Sequence, residues 1–190
     1  GWGTWGYFAA CWIIFGVTEA AGGTHLDWWQ NFSLLFMPPW AWLLARDWMG
    51  FSWPAGSKGW RTAMFTWWGL LVLTGYLMYF PWILERIKFT QGLVAHSHLA
   101  MAGFTTSFGA LLIGLLTGRF LGGRISVGLW NLAVVVMLVS LASMGWREGA
   151  EPSWMLIPPQ WREWGLLARC LAGGFMLVIS ARWLLKWTNT

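Results

Sequence analysis

The stretch Phe89-Thr90-Gln91-Gly92-Leu93-Val94-Ala95-His96-Ser97-His98-Leu99-Ala100-Met101-Ala102-Gly103-Phe104 decides how the chain is read. It lies in an apolar run, 91–118, long enough to cross the ~30 Å hydrocarbon core of a bilayer as a helix. Yet two of the chain's three histidines sit in it, about two turns in from one end. Polar side chains at that depth are costly and by default mark function. Helix positions two apart point about 200° apart, so His96 and His98 face different flanks and cannot easily share one metal ion. Each could hold a separate cofactor, and neutral imidazole is a standard axial ligand of heme iron. The other reading is that both histidines hydrogen-bond across helices as packing contacts. The small residues Ala100, Ala102, Gly103, Ser107 and Gly109 admit either a flat macrocycle or a neighbouring helix.

The rest of the chain gives this helix its setting. Of 190 residues 57% are hydrophobic, 20 are Trp and only 10% are charged, against about 25% charged in soluble domains. A soluble core of this size would not hide that much apolar surface, whereas lipid is itself an apolar solvent. The net charge of +5 sits at the ends of apolar runs rather than in one patch, which argues against a nucleic-acid partner. Apolar segments fall near 5–22, 29–48, 61–84, 91–118, 125–146 and 164–187, each long enough to span. Turn chemistry separates them: Gly22-Gly23-Thr24, Trp53-Pro54-Ala55-Gly56-Ser57, Gly122-Gly123, and 148–160 with Pro152, Pro158 and Pro159. Pro38-Pro39 predicts a kink in the second segment. With no repeat and no separate soluble part, the expectation is one all-α, polytopic membrane domain over 1–190 with about six transmembrane helices.

An even number of crossings puts both termini on one side. Arg46, Lys58, Arg61, Arg119, Arg124, Arg182 and Lys186 collect there against the single acid Asp47. That Lys/Arg bias makes it the cytoplasmic side of a bacterial inner (plasma) membrane, with 24–28, 81–90 and 147–163 facing out. Trp28, Trp29, Trp48, Trp60, Trp82, Trp161 and Trp164 fall near the interfaces, as an aromatic belt does. Cys11 and Cys170 lie in apolar segments without CxxC spacing and read as small core residues. His25 reads as a solvated loop residue. No basic stretch precedes the first apolar run, so nothing reads as a retained signal peptide.

The segment Phe89 to Phe104 resembles the tenth helix of subunit I in the heme-copper oxidase superfamily, closest to the cbb-type oxidases and nitric oxide reductases. Gly16-Val17-Thr18-Glu19-Ala20-Ala21-Gly22-Gly23 with Trp28-Trp29-Gln30 is similar to the end of the family's seventh helix and the following loop. Arg169-Cys170-Leu171-Ala172-Gly173-Gly174 is similar to the start of its last helix. The resemblance implies the C-terminal half, helices seven to twelve, of a twelve-helix fold. It implies His96 as ligand of a high-spin heme, His98 as ligand of a low-spin heme, and heme of b type, one or two. Where the family has an adjacent His-His pair for the active-site copper, this chain has Thr18 and Glu19, so no copper is expected. The missing front half implies a second membrane subunit supplying further ligands. Arg169, about a turn inside the last segment, reads either as a partner of heme propionates or as an interfacial side chain that snorkels. Arg162 is a weaker candidate of the same kind.

Three functions follow. The first is a heme-binding electron-transfer subunit of a respiratory-type complex, lacking the copper site and fed by a cytochrome c or quinol donor. The second is the catalytic half of a split terminal oxidase or nitric oxide reductase, an oxidoreductase in which Glu19 serves a non-heme iron. The third is a cofactor-free scaffold. The absent His-His pair favours the first.

Overall fold

Inside a bilayer, backbone polar groups must be satisfied within their own segment, which leaves the helix as the element this composition can use. The computed structural model describes residues 1–24 and 26–188, and the long regular elements among them are helices. In chain order they are α1 (Trp2–Ala20), α2 (Trp28–Leu34), α3 (Met37–Met49), α4 (Lys58–Leu77), α5 (Pro81–Ile87), α6 (Gln91–His98), α7 (Thr106–Thr117), α8 (Arg124–Glu148) and α9 (Gln160–Thr188). A π-helical segment, Leu99–Thr105, joins α6 to α7. His25 and the last two residues lie outside the described residues.

The contacts divide the chain into two compact units, Gly1–Ser52 with Val72–Glu85, and Trp53–Leu71 with Arg86–Thr190. In the first unit the expected 29–48 helix is broken. Leu35 and Phe36 form a turn, and Pro38-Pro39 begin α3 instead of kinking a longer rod. Proline is at ease in a first helical turn because the N–H it lacks has no intrahelical partner there. Phe8 of α1 lies 4.9 Å from Trp40 of α3 between ring centres. The Thr4 hydroxyl donates to Asp47 at 2.7 Å, and buried Cys11 lies 3.4 Å from the Phe36 carbonyl. Cys170, expected in a core, is exposed on α9. The 61–84 run also ends early. α4 stops at Leu77 and Pro81 opens α5 at an angle of 104°.

The second unit holds the three helices that are long and apolar enough to cross a membrane by length and composition: Gln91–Thr117, Arg124–Glu148 and Gln160–Thr188. With the bent pair Ala55–Leu77 and Pro81–Ile87 there are up to four such paths. α8 packs against both α6 and α9. Its buried residues Val127, Trp130, Val134, Met137, Leu141, Met144 and Glu148 recur every three or four positions, which lays one continuous seam along the helix. Its other faces carry exposed Leu129, Leu132, Val135, Val136 and Val139, and α9 exposes Leu171, Leu177, Val178, Leu184 and Leu185. Apolar surface on this scale is an aggregation liability in water and an ordinary outer face in lipid.

The tightest crossing is at the C-terminal end of α8. A Cβ on Gly145 would collide with the backbone of Gly92, and one on Gly149 with the carbonyl of Arg86. Gly145 and Gly149 are four apart and stand on one face, so together they form a glycine saddle for the chain entering α6. In the π segment, the Gly103 Cα faces the indole of Trp67, 3.0 Å from where a Cβ would sit. Trp67 in turn donates its Nε1–H to Asn131 of α8 at 2.6 Å.

Gly145→Ala should therefore push α6 off α8 and lower the unfolding temperature sharply, a loss of several kcal/mol of the kind overpacking produces, about 1–3 or more. Gly173→Ala, where nothing lies within 4 Å of a Cβ, should be neutral or stabilising by up to about 1 kcal/mol through helix propensity. Thermal unfolding in detergent by circular dichroism checks both. Equal effects of the two would contradict the crossing.

Candidate functional site

The histidine helix starts from a strained corner. Phe89 holds φ 63, a left-handed conformation uncommon for a bulky residue, and turns the chain into α6. Thr90 is the N-cap: its hydroxyl accepts from the Gly92 N–H at 3.1 Å and donates to the Ile87 carbonyl at 2.7 Å. The first N–H of the helix, on Gln91, goes elsewhere. It donates to Glu148 Oε2 at 2.9 Å. The other oxygen, Oε1, accepts from Arg162 Nε at 2.8 Å. The Glu148 side chain is 1% exposed. A buried carboxylate is tolerable only when paired and hydrogen-bonded, and here a guanidinium and a helix N-terminus, with its partial positive charge, both face it. One carboxylate thus links α6, α8 and α9.

Glu148 was missed as a site residue because 148–160 reads as a loop. α8 in fact runs two residues past the expected end at 146. The seven-residue seam of α8, counted to its end, places Glu148 inside rather than outside. Arg162, a weaker candidate for propionates in the sequence, is instead committed to Glu148.

Beyond this anchor, α6 presents Ala95 and Leu99 as buried positions, with His96 and His98 half-buried on either side and Ser97 exposed between them. His98 Nδ1 lies 2.9 Å from the Val94 carbonyl, one turn back. A carbonyl can only accept, so in this contact Nδ1–H donates, which leaves Nε2 as the nitrogen through which a neutral imidazole can bind a metal. That is the tautomer in which an imidazole serves as a metal ligand through Nε2, with its other nitrogen held by a backbone oxygen. The donor chemistry of His98 therefore fits an axial position on heme iron.

The buried positions Ala95, Leu99, Gly103 and Ser107 are each four apart. In a straight 3.6-residue helix every such step would rotate about 40° off the face. The wider turn of the π segment takes up the drift, and such segments are frequent at functional sites.

Arg169 stands on α9, half-buried, with no hydrogen bond or ion pair among the described residues. Register relates it to the histidines. Gly145 of α8 meets Gly92, and the neighbouring Met144 meets Gly165. His96 and Arg169 each lie four residues, about 6 Å, further along from those contacts. They occupy one level on two helices that both pack on α8. Thr18 and Glu19 belong to the first unit. The Thr18 hydroxyl is satisfied by the Ile14 and Phe15 carbonyls, and Glu19 is exposed. Among the described residues no three His, Cys, Asp or Glu side chains converge as a metal-binding group, whereas an axial heme ligand is a single side chain.

The class these features define is a helical chain with membrane-length apolar helices, one of them bearing paired histidines. No known protein family, no curated protein and no solved structure matches the chain.

Glu148→Ala should strand Arg162 in a poorly solvated position and leave the Gln91 N–H without its acceptor, costing about 3–5 kcal/mol. The double variant Glu148→Met, Arg162→Met should recover most of that loss, since paired removal leaves no lone charge. Unfolding titrations in mixed detergent micelles measure both. A double variant as unstable as the single one would contradict the pairing.

Proposed function

We propose that this chain is a heme-binding membrane subunit for electron transfer, equivalent to helices seven to twelve of a heme-copper oxidase-like subunit I without the copper site. The observation that carries the reading is the 2.9 Å contact of His98 Nδ1 with the Val94 carbonyl, which orients the ring, in a helix whose sequence resembles the family's ligand helix. His98 and His96 hold heme from opposite flanks of α6, and Arg169, at the level of His96, neutralises propionate charge. The heme supplies reversible one-electron chemistry at its iron. The chain's own contribution is to hold the ligand tautomer, fix the helix by the Glu148–Arg162 anchor, and keep water from the site with apolar walls.

In this reading the chain makes six crossings, with α1 and the broken α2–α3 segment completing the set and both termini cytoplasmic in a bacterial inner membrane. A second membrane subunit would supply further heme ligands, and a cytochrome c or quinol would deliver electrons. Thr18, with its hydroxyl turned back onto its own helix, and exposed Glu19 support an electron carrier over an oxygen-reducing centre.

The test is a set of reduced-minus-oxidised visible spectra of the purified complex, with and without carbon monoxide. His98→Ala should abolish a low-spin absorption band, and His96→Ala should abolish any carbon monoxide-sensitive one. Arg169→Gln should leave both bands and shift the midpoint potential. A well-folded complex without heme absorption would overturn the assignment in favour of a scaffold.

A further inference from the structure

The end of the second unit remote from Glu148 has a different chemistry. There the start of α4, the 118–123 turn, the start of α8 and the end of α9 meet around two buried indoles. Trp60 donates its Nε1–H to the Leu121 carbonyl at 2.8 Å and lies edge-on to Trp183, 5.3 Å between ring centres. Trp183 donates to the Ser126 hydroxyl at 3.1 Å, and Trp130 lies 5.5 Å from it. Gly122, at φ +71, lets the turn pass against the Trp183 indole, where a Cβ would collide.

Four members of this cluster have a cation within two residues in sequence. Arg61 follows Trp60 and Arg182 precedes Trp183. Arg119 stands two residues before Leu121, and Arg124 two before Ser126. Hydrogen bonds and ring contacts that join the cluster thus gather cations from four elements at one end. The acids of the second unit, Glu148, Glu151 and Glu163, all belong to the opposite end. Arg119 lies over the Trp187 ring at 4.9 Å. Arg61, Arg124 and Arg182 have no hydrogen bond, ion pair or ring contact among the described residues. Like charges gathered with no carboxylate among the described residues of this unit beside them oppose the packing that gathers them, so an external anion would stabilise this end.

The surroundings indicate where that anion comes from. Leu116, Ile125, Leu184 and Leu185, next to these cations on the same elements, are large exposed apolar side chains. Arginines close in sequence to exposed leucines and to a buried indole pair have the polarity profile of a headgroup layer over acyl chains. An acidic protein docking from the aqueous phase would need no such apolar border.

We propose that this end of the second unit binds the phosphate headgroup of an anionic phospholipid through Arg61, Arg124 and Arg182, around the Trp60–Trp183 pair. The proposal is independent of heme. The site orders the lipid at the turn 118–123 and ties α4, α8 and α9 together from outside.

The full chain is reconstituted in phosphatidylcholine vesicles with and without phosphatidylglycerol, and lipid adducts are counted by native mass spectrometry alongside thermal unfolding. Phosphatidylglycerol should raise the unfolding temperature and remain bound in the gas phase. The triple variant Arg61→Gln, Arg124→Gln, Arg182→Gln should lose both effects, with affinity falling roughly fivefold per charge removed. Arg147→Gln, at the opposite end, should keep them. If the triple variant does not fold, Arg124→Gln alone, on an exposed side chain, should show the single roughly fivefold step. Equal stability in both lipids overturns the proposal. So does full stabilisation by soluble glycerol phosphate, which would make this a site for a free anion. Binding of an acidic peptide in phosphatidylcholine, with no response to phosphatidylglycerol, would assign the surface to a protein instead.

Discussion

The second unit depends on one crossing, where the chain entering α6 lies directly on the backbone of α8 at Gly145 and Gly149. In lipid there is no hydrophobic force between helices, since the surrounding tails are as apolar as leucine. What remains is close contact and hydrogen bonding, and this crossing supplies both. Two absent side chains allow the approach. That approach brings the first N–H of α6 to Glu148, which in turn holds Arg162 of α9. A carboxylate that would be prohibitively costly alone becomes a junction of three helices because each of its oxygens meets a charged or partly charged donor.

The depth and aspect of the histidines follow from this junction by counting. His96 and His98 are fixed a set number of residues from the cap, on either flank of the buried Ala95 and Leu99. The half-buried Arg169 is fixed in the same way from the Met144–Gly165 contact. The electron-transfer proposal therefore rests on side chains placed by packing, with the His98 tautomer set by one backbone carbonyl.

The parts legible in the sequence were those with a period or a depth. The long apolar runs expected at 91–118, 125–146 and 164–187 are each one continuous helical element of membrane length, the first with a π segment inside it. The opposed flanks of the two histidines follow from helix geometry alone. Less legible were breaks caused by context. Pro38-Pro39 read as a kink, yet the turn fell at Leu35 and Phe36 because proline prefers to begin a helix rather than bend one. Glu148 read as part of a loop, because a charged residue beside Gly149 and Ala150 usually is one. Its burial depends on Arg162 and on the N-terminus of another helix, and neither partner is visible in local pattern. Cys170 read as a core residue by its neighbours, but in a lipid-facing helix apolar neighbours do not imply an interior position.

The π segment between His98 and Thr106 has a consequence for how this helix tolerates change. A turn closed five residues back holds one more residue than a turn closed four back. Leu99–Thr105 therefore works as an angular spacer. It lies between the half-buried histidines and the buried Ser107, Ala110 and Gly114 of α7. Loss of one residue there would let the wide turn close as an ordinary α-turn, so that the Glu148 anchor, both imidazoles and the residues beyond them would keep their facing. The segment is in this sense a buffer of length: the rod can absorb a one-residue change there while the halves on either side keep one common buried face.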